Sequence, residues 1–414
     1  MKLKSSIFSQ ILYLISCVLI LVSCDSTEPG KETLSLSLED ASSTEVWLKL
    51  NGSAEGEYVL QRDGMQVQQI SLSGTDNIIY NDSLKPSTTY TYQLIGIQDQ
   101  SASNKVTALT MDTISHDFTW ETFTFGGQGG SSTLYDVAII DENNIWAVGE
   151  IYTANDTYNA VHWDGNGWEL KKIANSSYPR STVYAFNEKD IWFDGTIQWD
   201  GYTYSVHNNG FPLDPNGHGW RRNAMWGKSS SDFYVVGNNG NIAHYNGNSW
   251  EKIVSGTSTH INDAWGVENN QNQTVVYCPV SSFFVPGEKK VLKIVDKMVE
   301  TVPWNKNARI YSVWAKSESI LYVCGEGVFE NKFGRWNEIN LQPIGTNSIR
   351  GNGLNDIFVV GDYGSKFHFN GSSWRLLNSF NSSKGYSKVA ILNNLVVVCG
   401  NQQGQGLIEI GIRQ

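Results

Sequence analysis

Three histidines recur at one place in a repeating pattern. His162, His244 and His368 each stand just before a hairpin of the form aromatic–Asp/Asn–Gly: Trp163-Asp164-Gly165, Tyr245-Asn246-Gly247 and Phe369-Asn370-Gly371. Histidines invite a zinc reading, but zinc needs its ligands at about 2 Å from one centre. Equivalent places in separate repeats point away from one another, so these histidines are expected to serve the repeat and not a metal. The Asp-Gly and Asn-Gly pairs are expected to supply the positive φ of tight turns. A calcium site would need more carboxylates converging at each position. No H-E-x-x-H, no G-x-S-x-G and no full G-x-x-x-x-G-K-[S/T] phosphate loop occurs. The expectation is therefore no metal and no cofactor.

A second set is ionisable. Aligning the first strand of each repeat on Ala138, Phe186, Trp226, Trp265, Trp314, Asn352 and Ala390 puts Asp136, Tyr184, Ala224, Asp263, Ser312, Arg350 and Lys388 on one ring. A position with the same packing duty in every repeat would be uniform, and this one is not. Arg350 and Lys388 fall in adjacent repeats beside Asp136. Asp136, Tyr184, Asp263, Arg350 and Lys388 are thus candidate binding residues for an anion or uronate, or else an internal salt-bridge network that plugs a channel. Insertions between second and third strands, 150–158 in the first unit and 281–290 in the fourth, add a second pointer. The fourth exposes Phe283-Phe284 beside Pro286-Gly287, a contact for protein or glycan. Cys278, Cys324 and Cys399 sit in strand-like runs and are expected to be buried and inert.

The elements that position these residues are one unit written seven times. Gly149, Gly195, Gly237, Cys278, Gly325, Gly361 and Gly400 mark equivalent positions between 36 and 47 residues apart, room for four short strands each. Such units cannot bury both faces alone and stack radially into a seven-bladed β-propeller over residues 118–414. The outer strand is expected to carry Trp168, Trp250, Trp304, Trp336 and Trp374, with Tyr202 or Tyr204 in the second unit. After Gly400 only one strand, 407–412, remains, so the seventh unit lacks its outer strand. Phe118-Thr119-Trp120-Glu121 looks like Gly167-Trp168-Glu169, and Trp120 is expected to complete the last blade by pairing first and last segments. Trp220 falls outside the pattern and is the candidate exposed tryptophan.

Ahead of the repeats, residues 33–112 alternate apolar and polar in short runs: 34–38, 45–50, 58–62, 67–72, 77–80, 90–97 and 105–110. Leu84-Lys85-Pro86-Ser87-Thr88-Thr89-Tyr90 resembles the L-x-P-x-T-x-Y signature of fibronectin type III domains. The resemblance covers about 80 residues and implies an all-β sandwich with Tyr90 as its corner tyrosine. Arg62-Asp63-Gly64 reads as a hairpin turn. The bland role for this domain is a spacer, joined to the propeller by a linker at 113–117.

The amino terminus speaks to compartment. Lys2 and Lys4 precede an apolar run too short to span a bilayer comfortably. It ends in Leu21-Val22-Ser23-Cys24, which resembles the bacterial lipobox. The resemblance implies a signal peptide at 1–23, lipid on Cys24 and an acidic tether at 24–32. Acidic residues there, with the later architecture, resemble Bacteroidota surface lipoproteins, implying an outer-membrane, surface-exposed location in the cell envelope. The 414 residues carry 30 Lys+Arg against 41 Asp+Glu, a net charge of −11, which excludes binding driven by phosphate backbones. Nucleic acid is not an expected partner; the membrane, through lipid, and a glycan or protein ligand are. The reading is a binding or scaffolding protein more than an enzyme. The alternative is a polysaccharide lyase or glycosidase working at the channel mouth, although no motif pairs two carboxylates for that chemistry.

Overall fold

The computed structural model describes residues 34–282 and 287–414. The leader, Cys24 and the tether lie outside the described residues, as do Phe283 and Phe284. Seven strands come first: β1 (Ser35–Ala41), β2 (Val46–Ser53), β3 (Gly56–Arg62), β4 (Met65–Leu72), β5 (Thr75–Asn81), β6 (Thr89–Gly96) and β7 (Val106–Leu109). They form two sheets, ordered β1-β2-β5 and β4-β3-β6-β7. Alternation turns Val46, Leu48 and Leu50 of β2 and Leu60, Tyr92 and Leu94 of the facing sheet into one core. Asp63 (φ 53°) and Gly64 (φ 80°) make the tight turn between β3 and β4. The Tyr90 hydroxyl accepts the Lys85 backbone N–H at 3.0 Å, fixing the chain as it enters β6.

Residues 118–414 fold into seven four-stranded antiparallel sheets. Their first strands touch in sequence order and the seventh touches the first, so the blades form a ring. No sheet closes on itself. The ring closes because β8 (Phe118–Phe125) is the fourth strand of the last sheet, outside Lys384–Leu392, Leu395–Gln402 and Gln405–Arg413. Trp120 lies opposite Gly411. That is the register in which Trp168, Trp250, Trp336 and Trp374 face Trp163, Tyr245, Asn331 and Phe369. In the second blade Tyr204, not Tyr202, takes this place, opposite Trp199. Gly411 has no side chain because a Cβ there would lie 2.7 Å from the Trp120 indole.

The recurring glycine has an equally local cause. In five blades the first strand carries one extra residue opposite it, Tyr135, Asn223, Tyr311, Asn347 or Ser387. This bulge drives a carbonyl into the glycine: a Cβ at Gly149, Gly237, Gly325, Gly361 or Gly400 would sit 2.0–2.2 Å from that oxygen. The fourth blade corrects one expectation. Trp265 pairs with Tyr277 and Ile261 bridges Val280, so Val280 and not Cys278 occupies the glycine position. Here the first strand is only Trp265–Glu268, and the crowding is relieved.

Four other expectations change. The fourth blade's outer strand is Met298–Val302, so Trp304 lies beyond it and packs edge-on against Phe329 and Trp336 of the next blade. Trp220 is buried, because the long loop before it brings Phe211 to 5.2 Å and the Pro212 carbonyl to its indole N–H at 2.8 Å. Residues 150–158 are no loop insertion: the ladder continues to Tyr152 opposite Thr157. In the hairpins only the glycines (Gly165, Gly201, Gly247, Gly371) take positive φ. The preceding Asp164, Asp200, Asn246 and Asn370 side chains instead accept two backbone N–H groups each, at 2.7–3.0 Å.

The sandwich is seated on the propeller. Trp47, on the outer face of β2, is buried against Phe333 at 5.8 Å and shares a core with Trp314, Tyr322 and Phe367. Lys332 Nζ bonds Glu45 at 2.6 Å. Asn370 and Ile114 exchange backbone and side-chain hydrogen bonds at 3.2 Å, and Asn355 donates to the Asp112 carbonyl at 2.8 Å. Phe333, Asn355 and Asn370 lie on turns between first and second strands or hairpins between third and fourth, and Lys332 ends a third strand beside one of them. The linker thus runs along one face of the ring, at blades five and six.

Candidate functional site

The central channel gathers the ionisable residues. A cavity of about 210 Å³ is lined by Asp136, Tyr184, Trp226, Trp265, Arg350 and Lys388 among others. Register corrects two of the aligned positions. Tyr184 faces Trp192 and Arg350 faces Phe358, as Ala138 faces Trp146. The ring level with Asp136, Ala224, Asp263, Ser312 and Lys388 is therefore completed by Thr182 and Ser348. Tyr184 and Arg350 lie one pleat further along the channel.

Four members of that ring share a duty which their varied residue types conceal. Each of these side-chain oxygens accepts a backbone N–H from the next blade. Asp136 takes Val183 (3.1 Å), Asp263 takes Val313 (3.2 Å), Ser312 takes Ile349 (3.2 Å) and Ser348 takes Val389 (3.2 Å). The two carboxylates also accept hydroxyls, Asp136 from Thr182 at 2.8 Å and Asp263 from Ser312 at 2.5 Å. Buried backbone donors are costly to leave unmade, so these side chains clasp blade to blade.

Asp263 does more. It is fully buried and receives both Arg350 guanidinium arms, at 2.8 and 3.0 Å, and Lys388 Nζ at 2.9 Å. Burial alone would raise its pKa, but Arg350 and Lys388 outweigh that and hold it well below the usual carboxylate range. Asp136 is instead pushed up by burial, with the Lys388 charge opposing. Arg350 Nη1 also reaches the Val313 and Ile349 carbonyls at 3.0 and 2.8 Å, and its guanidinium lies over Trp265 at 4.9 Å. Both cations offered for an anion are thus bonded across the channel to Asp263, not to Asp136. Tyr184 donates to the Gly227 carbonyl at 3.1 Å. The arrangement is a charge-balanced plug, and a carboxylate so engaged is poorly placed to move a proton for a substrate.

The histidines act within their own blades. His162 bonds Asn144 (3.0 Å), His244 bonds Asp232 (2.8 Å) and His368 bonds Asp356 (3.1 Å), each at the start of the blade's second strand. Their rings lie 4.2–4.5 Å from Trp146, Tyr234 and Phe358. Cys278, Cys324 and Cys399 are buried free thiols, and burial pushes Cys324 up to about 12.

Alternating strand direction puts the turns that contact the sandwich on one face and the remaining loops on the other. That other face carries exposed Tyr178, Val206, Leu213, Val254, Tyr363 and Phe380, with Val254 81% and Tyr178 79% accessible. At its centre the Tyr135 and Tyr152 hydroxyls donate to the two oxygens of Glu150, at 2.5 and 3.0 Å, and Arg221 lies over the Tyr135 ring at 5.1 Å. Sequence reasoning missed this set because each residue is unremarkable alone. The missed signal was apolar residues in loops otherwise rich in Ser, Asn and Gly.

Solved structures resemble this chain. One described as "YCF48 bound to D1 peptide" superposes with a TM-score of 0.52 at 14% identity, over 73% of this chain and 98% of that one. The WD40 β-propeller domain of Doa1 gives 0.54 at 12% identity, over 72% and 98%. The chain has a β-propeller fold. At such identities the likeness extends to fold alone. No family model and no curated protein matches the sequence.

Proposed function

We propose that this chain is a binding or scaffolding protein whose propeller holds a protein partner on the face turned away from the sandwich. The observation that carries the reading is the exposed set Tyr178, Val206, Leu213, Val254, Tyr363 and Phe380 on that face, while the opposite face receives the linker and sandwich. Apolar and aromatic side chains on the loops and strand ends of a rigid scaffold are what protein interfaces are built from. The YCF48 structure, a propeller with a peptide bound, is a precedent for the mode. Within this reading the sandwich is a fibronectin type III domain, and lipid on Cys24 anchors the chain at the surface of a bacterial outer membrane.

Cross-linking mass spectrometry on intact source cells tests it. A partner cross-linked to the wild-type chain is expected to be lost in Leu213→Glu/Val254→Glu and kept in Met298→Glu, on the other face. An unchanged cross-link profile overturns the reading. Separately, Cys24→Ala is expected to release the protein from the membrane fraction, and protease added to intact cells is expected to cut the wild-type chain. The glycan-cleaving alternative draws no support from the channel, whose carboxylates are engaged in holding the ring.

A further inference from the structure

A second site stands apart from the binding face. Between the outer face of the β1-β2-β5 sheet and the third-to-fourth-strand hairpin of blade five lies a cleft of about 620 Å³. That volume is within the roughly 300–1,000 Å³ of small-ligand sites, which favour domain interfaces. Its back wall is packed and carries one lysine against two carboxylates. Trp47 is wedged on Phe333, and Lys332 sits 5.4 Å from the Trp47 ring while bonding Glu45 at 2.6 Å and Glu330 at 2.9 Å. Its front wall is open. Tyr80, paired beside Trp47 across β2 and β5, is 40% accessible, with the Arg335 guanidinium 5.7 Å from its ring.

The polar groups at this mouth are unspent. Among the described residues Arg335 has no carboxylate partner, the Asn337 side chain has no hydrogen bond, and Asp82 accepts only from Ser83 at 3.3 Å. Asn77 donates one bond, to the Gly74 carbonyl at 3.2 Å, leaving its oxygen free. We propose that this interdomain cleft is a binding site for a neutral oligosaccharide. An exposed ring offers a flat apolar surface for the C–H face of a sugar. Around it stand a guanidinium, a carboxylate and two amides, the planar groups that bond vicinal hydroxyls in pairs. The charges at the mouth, Arg335 and Asp82, cancel, and Lys332 is neutralised behind them. A strongly anionic ligand would find no excess cation.

Calorimetric titration of the full chain with hexasaccharides of β-glucan, mannan, xylan and chitin tests the proposal, with tryptophan fluorescence as a second readout because Trp47 lines the cleft. At least one sugar is expected to bind, and Tyr80→Ala and Arg335→Ala are each expected to weaken it tenfold or more with unchanged thermal midpoints. Absence of binding by the whole panel overturns it, as does binding that survives both substitutions together. Both residues lie on the sandwich side. Their loss therefore leaves free-face cross-links intact, so this site and the protein-binding face fail separately.

Discussion

The channel and the interdomain cleft are built from the same kinds of residue and behave oppositely. Each holds a guanidinium, a lysine, carboxylates and an indole. In the channel Arg350, Lys388 and Asp263 are bonded to one another and removed from water. In the cleft Lys332 is spent on Glu45 and Glu330, but Arg335 faces solvent across a tyrosine ring. What separates structure from binding here is whether the charges are satisfied within the fold. The largest test of the contrast is Asp263→Asn, which keeps the shape and removes the one carboxylate that both buried cations bond. Breaking a buried pair in this way costs about 3–5 kcal/mol. A large fall in the thermal midpoint is expected, and an unchanged midpoint would remove the plug from the account.

Next in size is the back wall of the cleft, where the sandwich meets the propeller. Trp47→Ala empties a buried site at the domain contact, and large-to-small substitutions of this kind cost about 3 kcal/mol or more. The expected outcome is a lower midpoint together with faster proteolysis at 113–117, because the linker loses the docked sandwich that holds it. The channel, whose clasps and ion pairs do not involve Trp47, is expected to keep its protection in hydrogen exchange. If the amides beside Asp263 lose protection equally, the two regions are one cooperative unit and the contrast fails.

How much of this was readable beforehand follows from distance along the chain. The seven blades and the closing role of Trp120 were legible because the glycine, the Asx-turn hairpin and the outer-strand aromatic are local features repeated. Blades two and six slipped by one pleat because Tyr184 and Phe186, or Arg350 and Asn352, offer two plausible anchors two residues apart. Trp304 misled because blade four has Val299 where its neighbours have an aromatic. The site was less legible. Arg350, Lys388 and Asp263 were named, yet their pairing joins residues 87 and 125 positions apart, which no local pattern records. The cleft was invisible for the same reason, since it exists only where Tyr80 meets Arg335.

A smaller effect separates the linker from the channel by pH. His368 bonds Asp356 through Nε2, so that nitrogen carries the proton and Nδ1 accepts from His116 Nδ1 at 2.8 Å. Burial, then the neighbouring His368, lowers His116 to about 4. Arg375, Asp117 and Arg413 also face it, and Arg413 bonds Asp356 at 2.6 Å behind His368. Between that value and the ordinary 6.5, the unfolded chain binds the proton that the folded one refuses, so stability rises with pH. It is expected to be full above pH 6.5 and to fall as pH drops toward 4. His116→Asn, which still donates to His368, should reduce that slope, leaving the part due to His368 and His162, which burial also lowers. Asp263 is depressed instead, so its contribution is full above the ordinary carboxylate range and drains away as pH falls below it.

The smallest predicted effect sharpens the comparison most. Arg350 and Arg335 each lie over an aromatic ring, at 4.9 and 5.7 Å, so ring contact alone does not distinguish them. Arg335→Ala removes a solvent-facing charge with no carboxylate partner among the described residues, and surface substitutions of this sort fall within about 0.5 kcal/mol. An unchanged midpoint at both low and high salt is the expected result. A loss above about 1 kcal/mol would mean that Arg335 is already spent on the fold, as Arg350 is. The cleft would then be an extension of the domain contact with nothing in reserve for a ligand. A small loss that vanishes in high salt would place the guanidinium among the screened surface charges, which still leaves its five donors free to meet a sugar.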